Sequence, residues 1–340
     1  MRYNFTLLFL FLSFTIFAQE DAWVYFNAKP NAQLFFNNPL AELSQRALDR
    51  RTSQNIALDI TDAPLETSYV NQIMASTGIT VMAQSKWLNA LHIRGTRANI
   101  NTLKLFSFVS KVDFANKSLN ETAKKGTSDK VKSTDKNLKT AVNYSYGTSV
   151  NQIQMLNGQI LHEQNYTGSG KIIAVLDAGF PGVNTASTFD RLRVNNKILG
   201  GYNYVLRNSN FNTGVSHGTE VLSTMGGYKE NALVGTAPDA SYYLFITEDD
   251  ASENPVEESL WVEAAEKADA LGVDIITSSL GYFNQRDEPR YNHTYSDMNG
   301  TTNFVSRGAE IAFSKGILVL ASAGNEGTQT EKYVGAPADA

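Results

Sequence analysis

The chain has 340 residues, of which 42% are hydrophobic and 19% charged, so it is long enough for two domains and ordinary in composition for a globular protein. The net charge of −5 argues against a nucleic-acid groove, because phosphate binding requires clustered Lys and Arg side chains. The sequence contains no cysteine, which excludes disulfides, thiolate metal sites and a cysteine nucleophile.

The first residues have the pattern of a secretory signal peptide. Arg2 precedes an almost unbroken apolar run from Phe5 to Phe17, and Ala18 follows it. The run is well short of the roughly 20 apolar residues that a bilayer span requires, so we predict a signal peptide over residues 1–18 rather than a membrane anchor. We therefore expect a secreted or cell-surface protein that has no membrane span in its mature form.

Short β-like and helical segments alternate over residues 19–115. Trp23 to Phe26 and Ile79 to Ala83 are typical of strands. Asn99 to Leu105 has helical spacing, and Phe108 to Phe114 alternates apolar and polar residues. We predict a small α+β domain over this range.

Residues 116–145 differ from their surroundings in composition. They contain seven lysines among Ser, Thr, Asn and Asp, with almost no large apolar residue. Such a segment cannot bury enough surface to order itself, so we predict an exposed linker in which the chain is cut during maturation. Upstream, Arg50-Arg51 resembles a dibasic processing site, but we favour a charged helix face as its explanation.

Residues 146–340 alternate apolar β-branched runs with helical segments. A helix is predicted over Pro255 to Leu271, because apolar residues recur there at helical spacing and Pro and Gly flank it suitably. The order of strand, helix and strand predicts an α/β domain with a parallel sheet and crossover helices. The predicted strands are Lys171 to Leu176, Tyr242 to Ile246, Val273 to Thr277 and Ile317 to Ala321.

Three polar residues occupy positions where such sheets bind ligands. Asp177 and Asn325 each follow a predicted strand, and the carboxyl ends of parallel strands form the ligand edge of an open α/β sheet. His217 begins a helical segment for which Ser216 is a suitable N-cap. We expect the imidazole of His217 to face Asp177.

These residue types together suit amide hydrolysis. A histidine titrates near neutral pH and can take a proton from a hydroxyl and return it to the leaving amine. Asp177 would hold the correct tautomer of His217 and stabilise the imidazolium as it forms. The side-chain amide of Asn325 would donate a hydrogen bond to the oxyanion of the tetrahedral intermediate.

The region from about Thr167 to Ala340 resembles the subtilisin family through several blocks in the family's order. The resemblance implies a secreted serine endopeptidase of polypeptide substrates that requires no cofactor. It also implies that Ser279, Leu280 and Gly281 pair with the substrate backbone as an added strand. The blocks are Ile173 to Gly179, Ser216 to Val221, Val234 to Pro238, Ser278 to Gly281 and Ala323 to Gly327.

The preceding domain resembles a subtilisin propeptide through Trp87 to Leu91 and Phe108 to Phe114. This resemblance implies a folding chaperone that is also an intramolecular inhibitor. The family's nucleophile lies in a Gly-Thr-Ser block after the oxyanion asparagine, whereas no serine follows Ser322 here. We therefore expect the catalytic domain to be incomplete, the nucleophile to lie beyond Ala340, and this fragment alone to be inactive. The alternative is a catalytically dead subtilisin-like domain that binds peptides.

Other polar features have simpler explanations. The acidic residues between Glu248 and Glu258 could bind calcium, but the spacing differs from an EF-hand loop, and a solvated loop before a helix is better supported. We predict no metal site. The glycines between Thr167 and Lys171 precede a strand rather than follow one, so they predict a turn and no nucleotide loop. Structural roles are expected for the other histidines, which are His92, His162 and His293.

Overall fold

The structure is a computed structural model that describes residues 19–120, 143–328 and 333–340. The predicted signal peptide and most of the predicted linker lie outside these residues. Within them, none of the helices combines the length and the apolar character that crossing a membrane requires. We refer to residues 19–120 as the N-terminal domain and to the described part of residues 143–340 as the C-terminal domain.

The N-terminal domain is built on an antiparallel four-stranded sheet with the order β2-β3-β1-β4. This confirms the expected α+β domain. The strands are β1 (Gln19–Phe26), β2 (Ile79–Ser85), β3 (Ala90–Thr96) and β4 (Val109–Phe114). The helices are α1 (Ala32–Asn37), α2 (Gln45–Ser53), α3 (Thr67–Met74) and α4 (Arg97–Thr102), with 3₁₀ turns at Pro39–Ala41, Leu103–Leu105 and Lys117–Leu119.

The C-terminal domain contains a parallel five-stranded sheet with the order β11-β10-β5-β9-β6, which confirms the expected architecture. Its strands are β5 (Ile172–Asp177), β6 (Ile198–Asn203), β9 (Ser241–Ile246), β10 (Ile275–Ser278) and β11 (Leu318–Ala321), with a hairpin of β7 (Tyr228–Lys229) and β8 (Leu233–Val234). Its helices are α5 (Val150–Gln154), α6 (Gly158–Glu163), α7 (Asp190–Val194), α8 (His217–Gly226), α9 (Val256–Leu271) and α10 (Phe304–Ser314). Four 3₁₀ turns are Ser187–Phe189, Pro289–Tyr291, Tyr295–Asp297 and Glu326–Thr328.

Helices cover both faces of the parallel sheet, and strand β5 shows why its sequence is continuously apolar. Ile173 and Val175 join the core cluster on the α7 and α8 side, whereas Ala174 and Leu176 join the cluster on the α9 and α10 side. Successive side chains of a strand point to opposite faces, so a strand covered on both sides needs apolar residues at every position.

The N-terminal domain packs on α9 and α10 through the free face of its sheet. Strand β1 is buried on both sides: Val24 and Phe26 point into the domain's own core, while Trp23 points toward the C-terminal domain. The Trp23 ring stacks on Phe304, with the ring centroids 5.2 Å apart, and its Nε1 donates a 2.9 Å hydrogen bond to Oγ of Ser259. Helix α9 is consequently enclosed by the parallel sheet on one side and by the N-terminal domain on the other.

A second polar contact of this interface centres on Glu266 of α9. Its carboxylate accepts hydrogen bonds from Oγ of Ser85 at 2.6 Å and from the backbone N–H groups of Lys86 and Trp87 at 3.1 and 3.0 Å. Burial raises the pKa of Glu266 to about 7, although the hydrogen bonds act in the opposite direction. The carboxylate thus binds the loop between β2 and β3 to the middle of α9.

The dibasic pair Arg50-Arg51 lies on helix α2, as expected for a charged helix face, but both side chains are buried. Arg50 is 7% exposed and Arg51 is 2% exposed, and both contact Asp269 of α9. An arginine fully enclosed between two domains is protected from cleavage, whereas an exposed dibasic loop would be accessible to a protease. The pair therefore belongs to the domain interface.

Candidate active site

Asp177 is the last residue of β5 and is fully buried. Its Oδ1 accepts a 2.7 Å hydrogen bond from Nδ1 of His217 and a 2.8 Å bond from the backbone N–H of Ala178. Burial raises the pKa of Asp177, while the hydrogen bonds from His217 and Ala178 favour its ionised form. The carboxylate is thus held behind the imidazole, away from solvent.

His217 is the first residue of α8, and its side chain is 50% exposed. The helix can begin this close to β5 because the next residue is Gly218. A Cβ on Gly218 would lie 2.5 Å from the carbonyl oxygen of Gly179 and 2.8 Å from Cβ of Asp177. The glycine of the His-Gly-Thr block is therefore required by the close approach of the helix to the strand end.

The expected N-cap at Ser216 is not formed through its side chain. Ser216 has helical backbone angles, and its hydroxyl donates a 2.9 Å hydrogen bond to the carboxylate of Glu220 instead of accepting one from the first turn. Because the backbone of Ser216 is already helical, its side chain does not reach the first free N–H groups of α8. The position of His217 therefore depends on Gly218 and Asp177 rather than on a capping serine.

A cleft of about 330 Å³ lies at the carboxyl ends of the parallel strands and brings the predicted site residues together. His217 lines one wall, and the segment Ser279 to Gly281, which follows β10, lines another. Asn325, beyond β11, lines the same cleft and is exposed. A Cβ on Gly281 would meet no atom within 4 Å, so this segment borders open space. Asp177 lies beneath the cleft and contacts His217 from behind.

Two family models match the chain. The model described as "Peptidase S8 propeptide domain, Bacteroidota" matches residues 21–135, and the model described as "Subtilase family" matches residues 168–340, which is more than half of the chain. The chain belongs to the subtilase family. Its N-terminal domain is correspondingly a subtilase propeptide domain.

Curated relatives agree with this assignment. The subtilase is 29% identical over 191 residues to subtilisin E of Bacillus subtilis (strain 168), covering 55% of this chain and 42% of that protein. It is also 29% identical over 191 residues to a subtilisin of Bacillus pumilus, covering 55% of this chain and 59% of the relative. The chain thus spans about half the length of the curated relatives it matches.

A solved structure extends the similarity to both domains. The epidermin leader peptide processing serine protease (EpiP) of Staphylococcus aureus matches with a TM-score of 0.50 at 12% sequence identity, covering 91% of this chain and 61% of that chain. At this identity the match shows the fold alone. It supports the arrangement of an N-terminal domain followed by a subtilisin-like sheet.

Glu248 and Asp249 belong to an acidic loop that lines the subtilase cleft. Glu257 and Glu258 lie in the first turn of α9, as expected for acids at the start of a helix, but each is only 1% exposed and neither is solvated. The reason is Arg286, itself buried, whose guanidinium bonds Glu257 at 3.1 Å and Glu258 at 2.8 Å. Buried carboxylates require such a partner.

The protonation of these two neighbouring glutamates differs. For Glu258, burial raises the pKa, but His293 and Arg286 outweigh burial and hold it at about 2. For Glu257, burial dominates and raises the pKa to about 8, against the influence of Arg286. His293, together with Arg286, therefore keeps Glu258 ionised, whereas Glu257 favours its protonated form near neutral pH.

Arg286 also connects the acidic loop to the segment that follows β10. Its guanidinium donates a 2.6 Å hydrogen bond to the carbonyl oxygen of Asn254 and lies 5.0 Å from the ring centroid of Tyr282, whose hydroxyl bonds Glu248. Sequence reasoning missed this network, because Arg286 and Tyr282 belong to no motif. The only available signal was an arginine that follows the block from Ser278 to Gly281.

The structure holds the remaining histidines in hydrogen bonds. Both ring nitrogens of His92 are engaged by Ser259 and Asp21, and those of His162 by Tyr146 and the carbonyl oxygen of Thr236. Among the described residues there is no group of three or more His, Asp or Glu side chains suited to a metal ion. The predicted turn before β5 is present, with Gly168 and Gly170 at positive φ.

Proposed function

We propose that the protein is an exported serine endopeptidase that is made as an inactive precursor. The observation that carries the proposal is the 2.7 Å hydrogen bond between Nδ1 of His217 and Oδ1 of Asp177 at the wall of an open cleft. With Nδ1–H donated to Asp177, Nε2 of His217 accepts the proton of a serine hydroxyl and later returns it to the leaving amine. The serine is the nucleophile that the family resemblance implies.

Substrate binding is proposed for the segment from Ser279 to Gly281, which lines the same cleft as His217. The backbone of Ser279 to Gly281 pairs with an extended polypeptide, and the open space beside Gly281 supports this role. The Asn325 side chain, exposed in the same cleft, donates to the oxyanion of the tetrahedral intermediate. The mechanism requires no metal or organic cofactor.

Residues 1–18 direct export, and the N-terminal domain inhibits the C-terminal domain until the chain is cut within residues 116–145. The extensive burial of Trp23, Trp87 and Glu266 between the domains supports an inhibitor that docks tightly. Cleavage removes the covalent connection between the two domains. Full activity then requires the N-terminal domain to leave.

The proposal is tested by measuring whether the full-length protein cleaves casein and fluorogenic peptides. The alternative, a catalytically dead domain that binds peptides, would cleave neither. We expect the wild type to process itself within residues 116–145 and to cleave casein. The His217→Ala variant should remain unprocessed, while Glu220→Gln, on the surface of the same helix, should behave as wild type. Peptide binding by the wild type without any cleavage would refute the proposed peptidase and favour the binding domain. Normal processing of purified His217→Ala, with no other protease present, would show that His217 is not the base.

A further inference from the structure

Helix α2 of the N-terminal domain docks at a place far from the cleft. It lies against the carboxyl-terminal ends of α9 and α10, and it presents Arg46, Arg50 and Arg51 to them. The last carbonyl groups of a helix have no partner within the helix, and they carry the negative end of its dipole. Three arginines of one helix therefore meet two helix ends that favour cations.

Arg50 contacts the ends of both helices at this junction. Its Nη1 donates a 2.6 Å hydrogen bond to the carbonyl oxygen of Val273, its Nε donates a 3.2 Å bond to that of Lys315, and its Nη2 bonds Asp269. Asp269 is fully buried and Arg50 is 7% exposed. One guanidinium of the N-terminal domain thus joins the chain leaving α9, the residue that ends α10, and a buried carboxylate.

The charged side chains at the junction come from both domains. Arg51 binds Asp269 of α9 at 2.8 Å and Asp62 of its own domain at 2.7 Å. Lys315, at the end of α10, binds Asp62 at 3.2 Å. Arg51, Asp62, Asp269 and Lys315 are each at most 2% exposed, so each charge depends on partners from the other domain.

Hydrogen bonds to backbone carbonyl groups also join residues 44–54 to the ends of α9 and α10. The N–H of Ser44 donates to the carbonyl oxygen of Ala270 at 2.8 Å, and the side-chain amide of Gln54 donates to that of Gly316 at 2.9 Å. Arg46 donates from Nε to the carbonyl oxygen of Gly272 at 2.9 Å. Carbonyl groups at both helix ends therefore receive donors from residues 44–54.

The junction is separate from the cleft. Helix α9 has 16 residues, with Glu257 beside the cleft loop at its beginning and Asp269 near its end. At 1.5 Å per residue, these two positions lie roughly 20 Å apart along the helix. Contacts at α2 can therefore persist whatever occupies the cleft.

We propose that residues 44–62 are an anchor that binds the carboxyl ends of α9 and α10 and sets how long the N-terminal domain stays bound after the linker is cut. The anchor rests on the proposed precursor function. While the arginines of α2 remain in place, the N-terminal domain keeps its position on α9 even when the linker no longer connects it. Release of the anchor is the step that lets the N-terminal domain leave.

The lifetime of the cut complex tests the anchor. In the full-length protein carrying His217→Ala, a recognition site for an added sequence-specific protease is placed within residues 121–142, and dissociation is followed after cutting and dilution. The Arg50→Ala/Arg51→Ala variant should dissociate at least about 30-fold faster than the parent, because it leaves buried charges without partners. Arg97→Ala, an exposed arginine on α4, is the matched control and should dissociate like the parent.

A second variant covers the case in which the double arginine variant does not fold. Arg46→Ala/Gln54→Ala removes the donors to the carbonyl oxygens of Gly272 and Gly316, and with Arg46 also its bonds to Gly170 and Asp274. This variant should shorten the lifetime about tenfold. Lifetimes within threefold of the parent for the folded variants would overturn the anchor, as would separation of the parent domains immediately on cutting. Since the cut is made by an added protease in a His217→Ala protein, the result does not depend on whether the protein is a peptidase.

Discussion

The cleft and the domain interface each contain a histidine hydrogen-bonded to a buried carboxylate. In the cleft, Nδ1 of His217 lies 2.7 Å from Asp177; at the interface, Nε2 of His293 lies 2.6 Å from Glu258. The bond lengths are similar, so they do not distinguish a catalytic pair from a structural one.

Exposure and the partners of the second ring nitrogen differ between the two pairs. The His217 side chain is 50% exposed, and its Nε2 has no hydrogen-bond partner among the described residues. The His293 side chain is 7% exposed, and its Nδ1 lies 3.2 Å from Nζ of Lys117 in the N-terminal domain. A histidine that acts as a base needs one ring nitrogen hydrogen-bonded to a partner and the other free to accept a proton. His217 in the cleft meets both requirements.

The largest expected effect comes from removing each histidine in turn from the full-length protein. His217→Ala should lower kcat by about 10⁴-fold or more with little change in unfolding free energy, because the base is lost from an exposed position. His293→Ala should instead cost about 3 kcal/mol of stability while its folded fraction retains normal kcat. Active-site titration, kcat measurement and urea unfolding compare the two, and equal losses of kcat would break the distinction.

The next effect concerns Asn325, which we place on the cleft side of the comparison. Asn325→Ala should lower kcat by roughly 10² to 10³ and leave KM nearly unchanged, since the charge that it stabilises develops in the transition state; the size is taken over from subtilisin. Asn325→Asp should be at least as harmful. A kcat within threefold of wild type, measured on titrated enzyme, would remove Asn325 from the mechanism.

The next prediction concerns the interface pair, His293 and Glu258, and the dependence of the unfolding free energy on acid pH. The folded pKa of Glu258, about 2, lies below its ordinary value of 4.5, so its ionised form stabilises the fold fully above pH 4.5 and this contribution is lost as the pH falls toward 2. The loss should amount to about 3 kcal/mol, and Glu258→Gln should flatten this part of the curve. Urea unfolding between pH 2 and 6 measures it, and identical slopes for the two proteins would contradict the assignment.

The smallest effect concerns the hydrogen bond from Trp23 to Ser259. Trp23→Phe keeps an aromatic ring against Phe304 but removes the N–H donor, and Ser259 retains its 2.8 Å contact with His92. We expect a loss of about 1 kcal/mol in unfolding free energy and no change in kcat of the processed enzyme. A loss above 3 kcal/mol would indicate that the ring also repacks.

The sequence was most informative where periodicity and motif coincide. The predicted strand from Lys171 to Leu176 and the predicted helix from Pro255 to Leu271 differ from β5 and α9 by one residue at their ends. Asp177 was singled out by the rule that ligands bind at the carboxyl ends of parallel strands, and His217 by its place at the start of a helical segment. The secondary-structure elements and the site residues could be predicted because both follow from local sequence pattern and from sheet topology.

What the sequence did not reveal depends on contacts between distant segments. Arg286 is 28 residues from Glu258, and Arg50 is 219 residues from Asp269, so no periodic pattern connects either pair. Arg50 and Arg51 are charged and lie on a helix, which is the pattern of a solvated face. They are buried because α9 and α10 of the C-terminal domain pack against α2.

Asp177→Asn provides the most direct test that the hydrogen-bonded pair in the cleft is catalytic. The asparagine preserves the shape of the side chain but stabilises the wrong tautomer of His217 and no longer balances the imidazolium. In full-length, folded protein we predict that kcat for a peptide substrate falls by about 10⁴-fold with KM little changed. A kcat within tenfold of wild type would show that the Asp177–His217 bond is structural and would contradict the proposed mechanism.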